Sequence, residues 1–267
     1  MGTCSTRAAC GARLDQVSDQ SRSDLEAWNE VAESYAGQVG AEGDTVYERF
    51  EPFIWRHLGE HLDGERVLDL GCGHGWLAAL IAERGADVMG VDGSSALLEL
   101  GRGRHPELSF EEADLVEGLP PELERTKFDR VVAHMVVMDL PELERLGASL
   151  ARCVRAEGIV LLTLLHPAFF MQSPVEDPAT GERYRKVRGY LQHEQRWIES
   201  FGGHRHYHRP LGFYVDWMVR HGFALVELFE PPVPLAKPEE EWTDYDRWFT
   251  QIPTMGGLAF TRVTGTL

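Results

Sequence analysis

Cysteine, positive charge and long apolar runs are all scarce in this sequence of 267 residues. The four cysteines, at positions 4, 10, 72 and 153, show neither a metal-binding spacing nor a disulfide framework, which favours a reducing cytoplasm. The 43 Asp and Glu residues outnumber the 26 Lys and Arg residues, and the net charge of −17 disfavours a nucleic-acid partner. No apolar run approaches the length of a membrane span, so we expect no membrane partner.

The stretch from Arg66 to Asp92 carries the densest pattern in the chain. The apolar run VLDL ends in the glycine cluster GCGHG, an apolar helical pattern follows, and Gly85 stops it. A second apolar run then ends in Asp92. This order predicts one nucleotide-binding βαβ unit. The glycines let the loop backbone approach a ligand, and Asp92 at a strand tip is placed to accept both hydroxyls of a ribose.

The glycine spacing disfavours a dinucleotide. A dinucleotide fingerprint needs G-x-G-x-x-G, whereas the glycines here read G-x-G-x-G and Trp76 stands at the third dinucleotide position. A pyrophosphate would also meet the carboxylate of Asp69, just before the loop. A ligand that carries a cationic amine and a sulfonium tolerates that carboxylate.

The stretches VLDLGCGHG and GVDGSSALL resemble the first motif and the second-strand acid of the class I S-adenosylmethionine (SAM) dependent methyltransferases. The resemblance extends over about residues 24–263 and implies SAM as the cofactor. In that family an acid after the third strand receives the adenine amino group, which implies this role for Asp114. The residues expected to bind the cofactor are Asp69, Gly71, Cys72, Gly73, Gly75, Asp92, Gly93, Ser94, Asp114, Leu115 and His134.

Four residues are candidates for catalysis. His134 stands where the family usually has a small polar residue, so it is either a general base or a group that holds the methionine part of SAM. His166 follows a strand tip, where ligands bind in open α/β sheets. His208 lies in YHRPL, which resembles a stretch before the helix that carries the substrate cap. Tyr35 lies in a segment that resembles the family's N-terminal lid, and it covers the cofactor pocket or simply packs on the core.

Residues 168–209 are too long for a plain connection and predict a cap over the crevice. Its candidate wall residues are Phe170, Trp197, Phe201 and Tyr207. Histidines at 204, 206 and 208 lie on one face of a strand. That spacing on one strand, with no partner acid identified, does not specify a metal site, and we predict no metal.

Alternating strands and helices predict an α/β fold with a doubly wound, mostly parallel sheet. The resemblance implies seven strands in the order 3-2-1-4-5-7-6 with the last strand antiparallel. Residues 1–22 lack a hydrophobic period, which predicts a disordered arm before one domain at 23–267. Predicted helices include one from Ser23, one over 44–62 with a break or kink near Glu51 caused by Pro52, and one over 140–156 ended by Gly158.

The sequence thus predicts methyl transfer from SAM to an O, N or C nucleophile of a small molecule, such as a natural-product intermediate. Three other interpretations stay open: a SAM-binding enzyme of other chemistry such as cyclisation, an NAD(P)-dependent oxidoreductase, and a non-catalytic binding module.

Overall fold

The computed structural model describes residues 5–40, 44–170, 174–235 and 237–263, with side chains described from residue 16 onward. A seven-stranded sheet carries the fold, in the order β10-β11-β5-β4-β1-β2-β3. Its strands are β1 (Arg66–Leu70), β2 (Asp87–Asp92), β3 (Ser109–Glu112), β4 (Phe128–His134), β5 (Val154–Leu165), β10 (Phe223–Phe229) and β11 (Met255–Arg262). Counted along the chain, this is the predicted strand order, and it is confirmed.

Eight α-helices flank the sheet or cover its edge within the described residues. They are α1 (Ser5–Ala36), α2 (Thr45–Leu58), α3 (Trp76–Ala82), α4 (Ser95–Arg104), α5 (Pro121–Arg125), α6 (Glu144–Cys153), α7 (Leu211–Arg220) and α8 (Asp244–Phe249). In the part of the chain that the structure describes, none of these helices is long and apolar enough to cross a membrane.

The apolar runs recognised in the sequence form the centre of the sheet. β1 pairs in parallel with β2 on one side and β4 on the other, and β4 pairs in parallel with β5. Each side chain of β1 after Arg66 is buried, since helices cover both faces of a parallel sheet. β11 runs antiparallel to both β5 and β10, as predicted. The carboxyl ends of β1, β2, β3 and β4 therefore meet at one edge, where ligands bind in such sheets.

The N-terminal prediction is wrong for residues 5–22. Helix α1 begins at Ser5 instead of Ser23, so these residues are helical and not disordered. Polar contacts anchor the helix at residues 18 and 21: Ser21 Oγ donates to Asp114 Oδ1 over 2.9 Å, and Ser18 Oγ donates to Glu117 Oε1 over 2.9 Å. A hydrophobic period cannot reveal a helix that is anchored by such contacts. Residues 1–4 lie outside the described residues, and the assignment of 23–267 to one domain stays a prediction.

Two helix boundaries also differ from the prediction. Helix α2 is continuous through Pro52, because Phe50, Phe53 and Ile54 anchor both sides of the proline in the core. Helix α6 begins at Glu144 and ends at Cys153, and Gly158 lies inside β5 instead of ending a helix. The residues before α6 are not helical because Arg209 occupies the carbonyls of residues 140 and 141.

The predicted cap contains two small hairpins. They are formed by β6 (Pro174–Glu176) with β7 (Arg183–Arg185), and by β8 (Glu194–Ile198) with β9 (His204–His208). Strand β9 also joins the main domain, since the Tyr207 N–H donates to the Met138 carbonyl over 2.7 Å. The cap hairpin is thereby fixed beside the loop that follows β4.

Candidate active site

One cavity of about 270 Å³ opens at the carboxyl edge of the sheet and is roofed by α1 and the β8–β9 hairpin. It is lined by eight of the residues predicted from the sequence, which are Tyr35, Gly71, Gly73, Asp92, Gly93, Asp114, Leu115 and His134. The structure therefore brings most of the predicted cofactor residues together. Their individual roles stay predictions.

The glycine loop after β1 has a backbone that only glycine adopts readily. Gly71 and Gly73 have φ values of 64° and 55°, in the left-handed region. A Cβ at Gly71 would lie 2.4 Å from Val136 Cγ2, and one at Gly73 would lie 3.3 Å from the Tyr35 ring. Bare backbone therefore forms the cavity floor at this point.

Two other predicted loop residues face the core instead of the cavity. A Cβ at Gly75 would lie 2.5 Å from the Phe110 ring, so this glycine permits close helix–strand packing. Cys72 is buried, and its Sγ would lie 2.9 Å from a Cβ at Gly90. Burial raises the pKa of the Cys72 thiol well above its ordinary value, so the thiol is neutral and inert at neutral pH.

Asp92 lies at the tip of β2, where backbone N–H groups bind its carboxylate. Its Oδ2 accepts from the Gly73 N–H and its Oδ1 from the Ser94 N–H, each over 2.8 Å. Burial raises the pKa of Asp92, and hydrogen bonds from the backbone of Ser94, Gly73 and Gly93 oppose that rise. A carboxylate has about four acceptor sites, so Asp92 keeps acceptor capacity for a group in the cavity.

Asp114 stands at the next strand tip in a similar arrangement. Its Oδ1 accepts from the Val116 N–H and from the Ser21 hydroxyl, both over 2.9 Å. Leu115 follows it as a buried apolar wall. Ser94 does not line the cavity: its Oγ caps α4 by accepting from Leu97 N–H, and it donates to Asn29 Oδ1 over 2.7 Å.

Asp69 lies beneath the cavity and not on its lining. The residue is 2% exposed, and its Oδ2 has no hydrogen-bond partner among the described residues. Burial, followed by the nearby Asp92 carboxylate, raises the pKa of Asp69 to about 8, while a hydrogen bond from the Ala78 N–H opposes the rise. Asp69 is therefore mostly protonated at neutral pH, and the negative charge of the pair lies on Asp92.

His134 lines the cavity, but its state does not suit a general base. Burial lowers its pKa to about 4, while Asp44 opposes the shift, so the imidazole is neutral at pH 7. Its Nδ1 lies 2.8 Å from Thr163 Oγ1, which already accepts from the Met135 N–H. The buried Thr163 hydroxyl has no other acceptor among the described residues, so it donates to Nδ1. The ring proton then lies on Nε2, where it is available to a hydrogen-bond acceptor in the cavity.

The other two candidate histidines lie outside the cavity lining. His166 is 3% exposed; its Nδ1 accepts from the Ala168 N–H over 3.2 Å, and its Nε2 lies 2.9 Å from Glu230 Oε1. His208 Nε2 lies 3.0 Å from the Tyr190 carbonyl. Both rings hold loops, and the geometry does not support the proposed acid/base roles.

Aromatic rings from α1 and from the cap close the cavity. Tyr35 lines it and packs edge-on against Trp28 and Phe201, with ring centroids 5.6 and 5.1 Å away. Burial raises the pKa of Tyr35, so its hydroxyl stays protonated. Of the predicted wall residues, Phe201 and Phe170 line the cavity.

The two remaining wall candidates do not line it. Trp197 is 50% exposed, on the outer side of the hairpin. Tyr207 is buried, and its hydroxyl donates a hydrogen bond to Asp24 Oδ2. The other carboxylate oxygen of Asp24, Oδ1, accepts from Arg205. This contact joins α1 to β9 and thus joins the two parts of the roof.

Sequence reasoning missed the pairing of Asp139 with His204. Both are buried, both line the cavity, and Asp139 Oδ1 lies 4.0 Å from His204 Nε2 and 3.8 Å from His206 Nδ1. The signal was an acid shortly after the tip of β4, together with the alternating histidines of β9. Across the described ranges, no group of three His, Cys, Asp or Glu side chains has an arrangement that holds a metal ion.

The charged side chains that line the cavity are all acidic. Its lining includes five aspartates, Asp24, Asp44, Asp92, Asp114 and Asp139. No Lys or Arg occurs among the described residues that line it. Such a site attracts cationic ligands and repels diphosphates and polycarboxylates.

Comparison with known proteins agrees with this geometry. A family described as "Methyltransferase domain" matches residues 67–158. The chain is 30% identical over 212 residues to a trans-aconitate 2-methyltransferase of Variovorax paradoxus, which covers 74% of this chain and 76% of that protein. It is 35% identical over 108 residues to a ubiquinone biosynthesis O-methyltransferase of Alkalilimnicola ehrlichii, and this match covers 39% of this chain and 43% of that protein.

The chain thus spans less than half the length of some curated relatives that it matches. A solved S-adenosylmethionine dependent methyltransferase from Mesorhizobium loti has the same fold, with a TM-score of 0.66 and 23% identity over 80% of this chain and 98% of that one. The long match to the Variovorax protein, the shared fold and the glycine loop agree with one another, and the chain belongs to the class I SAM-dependent methyltransferase family.

Proposed function

We propose that this protein transfers a methyl group from SAM to a nucleophilic O, N or C atom of a small molecule. The observation that carries the proposal is the acidic cavity at the strand tips, in which Asp92 keeps free acceptor sites beside bare glycine backbone. SAM carries a sulfonium and an ammonium group, so its net positive charge suits this lining. When bound, SAM supplies an electrophilic methyl group.

The residues present fit this ligand. Asp92 would accept hydrogen bonds from the ribose hydroxyls, and the free oxygen of Asp114 would accept one from the adenine amino group. The backbone of the glycine loop would hold the methionine portion, because no side chain stands in the way. His134, with its proton on Nε2, is suited to donate to the carboxylate of that portion. Asp69, which is protonated and lacks a partner at Oδ2, ionises readily near a bound ammonium group.

The rest of the chain's contribution is positioning and exclusion of water. Helix α1 covers the strand tips, and Phe170 and Phe201 close the cavity from the cap side. Such enclosure holds two reactants in line and keeps water away from a reactive sulfonium. The names of the relatives, which include ubiquinone and trans-aconitate methyltransferases, support a small-molecule acceptor.

Calorimetry with S-adenosylhomocysteine (SAH) and NADH tests the donor site. We expect SAH to bind and NADH not to bind, because Trp76 occupies the third dinucleotide position and the lining is acidic. Asp92→Asn should weaken SAH binding by about 1–3 kcal/mol, since hydrogen bonds to a charged carboxylate are lost. Asp87→Asn, an exposed acid at the start of the same strand, is the matched control. Unchanged SAH affinity in Asp92→Asn, or tighter binding of NADH, would contradict the proposal.

A further inference from the structure

The loop after β4 presents a buried carboxylate that the donor site does not use. Asp139 is 7% exposed and lines the cavity, and its Oδ1 has no hydrogen-bond partner among the described residues. Two buried imidazoles face this oxygen, with His204 Nε2 4.0 Å and His206 Nδ1 3.8 Å away. Neither distance is a hydrogen bond.

One oxygen atom beside these groups can bridge Asp139 and His204. An oxygen about 2.8 Å from Asp139 Oδ1 can also lie about 2.8 Å from His204 Nε2, since those two atoms are 4.0 Å apart. An ionised carboxylate only accepts hydrogen bonds, whereas an imidazole N–H donates. A hydroxyl group matches both, because it donates its proton to Asp139 and accepts from His204.

The surrounding structure fixes the carboxylate in this position. The guanidinium of Arg209 donates to the carbonyls of Val137, Leu140 and Pro141, on both sides of Asp139. The Tyr207 N–H donates to the carbonyl of the residue before Asp139. Strand β9 thus holds the loop and also supplies both imidazoles. A buried polar atom that is held so firmly without a partner among the described residues is costly, which points to a ligand.

The walls beside the carboxylate are aromatic and uncharged. The His204 ring lies 4.7 Å from Trp28 and 6.1 Å from Phe201 between ring centroids, and Met138 and Leu140 continue the apolar lining. No lysine or arginine occurs among the described lining residues, although Arg205 pairs with Asp24 from outside the lining. A polycarboxylate such as trans-aconitate would therefore lack a cationic partner on the lining and would meet the unpaired carboxylate oxygen of Asp139.

We infer that Asp139 and His204 form the acceptor site, and that the acceptor is an uncharged molecule with a flat apolar body and a hydroxyl group. This inference rests on the proposed methyl transfer. Asp139 is the proton acceptor, His204 orients the acceptor oxygen, and His206 Nδ1 lies 3.8 Å from the same carboxylate oxygen.

In the proposed methyl transfer, the acceptor oxygen bonds to the methyl carbon, the carbon–sulfur bond breaks, and its electron pair stays on sulfur. The hydroxyl proton passes to Asp139 Oδ1, so the carboxylate becomes neutral as the sulfonium loses its positive charge. A base in this position contributes about 10²–10⁴-fold to the rate for an acceptor that keeps its proton at neutral pH.

Binding of para-cresol and of its methyl ether, each measured by calorimetry with SAH present, tests the site without turnover. The wild type should bind the cresol about tenfold or more tightly than the ether, because only the cresol donates to the carboxylate. Asp139→Leu should remove this preference and leave the affinity for SAH unchanged. Asp216→Leu, an exposed acid on α7, is the matched control. Equal affinity of the wild type for both compounds, or no binding of either, would overturn the acceptor site.

Methylation of a series of phenols tests the role of Asp139 in proton transfer. Asp139→Asn keeps the shape of the side chain, and it should slow methylation of para-cresol by about 100-fold or more. The loss should shrink for para-nitrophenol, which ionises without help. An equal loss across the series would reduce Asp139 to a positioning residue and overturn its proton-accepting role.

Trans-aconitate completes the experiment. We expect no methylation of trans-aconitate by the wild type, and methylation of trans-aconitate but not of the phenols would overturn the assigned acceptor class. SAH calorimetry separates the two proposals. If SAH binds normally and the phenols fail, the acceptor assignment is wrong and the donor site stands, whereas failure of SAH to bind removes the basis of both.

Discussion

At the scale of single residues, burial decides which groups carry charge in the cavity. Asp69 and Asp92 lie close enough that each carboxylate disfavours ionisation of the other, yet only Asp92 receives two backbone N–H groups. Hydrogen bonds to the charged form stabilise it, so the proton of the pair resides on Asp69. A ligand that places a cation near Asp69 would ionise it and release a proton.

The half-buried imidazole of His134 predicts a specific loss of stability in acid. Its pKa of about 4 in the folded protein lies below the ordinary value of about 6.5, so the unfolded chain takes up a proton first as the pH falls. Stability from this group is complete above pH 6.5 and is lost as the pH falls toward 4, by at most about 3 kcal/mol. His134→Gln should show a correspondingly smaller loss over this range in chemical denaturation.

His193→Gln is the control for this measurement, because it replaces a histidine that is exposed on the cap. The comparison uses the slope of stability against pH and not its absolute value, since the substitution at 134 also removes packing against Phe50 and Trp76. Identical slopes for the wild type and His134→Gln would contradict a neutral buried imidazole.

Single residues also mark the limit of what the sequence could predict here. Asp92, Gly71 and Gly73 were found because they belong to one local motif, whose geometry follows from its own backbone. Asp139 and His204 come from distant segments that only the Arg209 and Tyr207 contacts bring together. Histidine alone was a poor guide, since the identity of a side chain does not reveal which partners occupy its nitrogens.

At the scale of elements, α2 shows that packing can override a local break signal. Pro52 lacks a backbone N–H, and its ring disfavours a helical residue before it. The helix nevertheless continues, because its apolar face is fully buried on both sides of the proline. Pro52 itself is exposed, so it contributes no buried contacts to this face.

Pro52→Ala should therefore stabilise the protein. Alanine restores the missing N–H and removes the steric conflict within the helix, which we expect to raise the free energy of unfolding by about 1–3 kcal/mol. Denaturation by urea measures this change. Glu51→Ala, at the neighbouring exposed position, should change stability far less. A loss of stability in Pro52→Ala would show that the proline ring is favourable in this helix.

Helix α1 lies over the donor site and is attached to α4 by hydrogen bonds. Asn29 Oδ1 accepts from the Ser94 hydroxyl over 2.7 Å and from the Ala96 N–H over 3.1 Å, which ties α1 to the start of α4. Leu25 lies against Gly93, where a Cβ would come within 2.5 Å of its Cδ2. The lid role of this segment followed from the resemblance, but its length did not, because polar contacts leave no hydrophobic period.

Asn29→Ala should weaken the attachment of α1 to α4. The loss of two hydrogen bonds to α4 should cost about 1 kcal/mol, so SAH should bind about fivefold more weakly, mostly through faster release. Stopped-flow measurement of SAH dissociation gives the rate directly. The control is Glu30→Ala, an exposed neighbour on the same helix. An unchanged dissociation rate in Asn29→Ala would mean that α1 does not limit ligand release.

At the scale of the whole molecule, the sheet order was predictable because the βαβ unit resembles that of a family whose strand order is 3-2-1-4-5-7-6. The cap was predictable as a long insertion, but its contacts were not, since they depend on how β9 packs against the loop after β4. The distribution of charge was likewise only partly predictable from the sequence. The overall excess of acid was visible in composition, whereas its concentration around the cavity required the folded chain.

This acidic field should steer the methyl donor. SAM carries one net positive charge and SAH carries none, so the protein's negative potential should accelerate association of SAM in particular. Raising the ionic strength from about 0.01 to 0.1 M shortens the screening length from about 30 to 10 Å. The association rate of SAM, followed by tryptophan fluorescence in stopped flow, should fall several-fold over this range, while that of SAH should change little. SAH thus serves as a neutral control of nearly the same shape, and an equal salt dependence for both ligands would show that the five aspartates do not act on the approaching ligand.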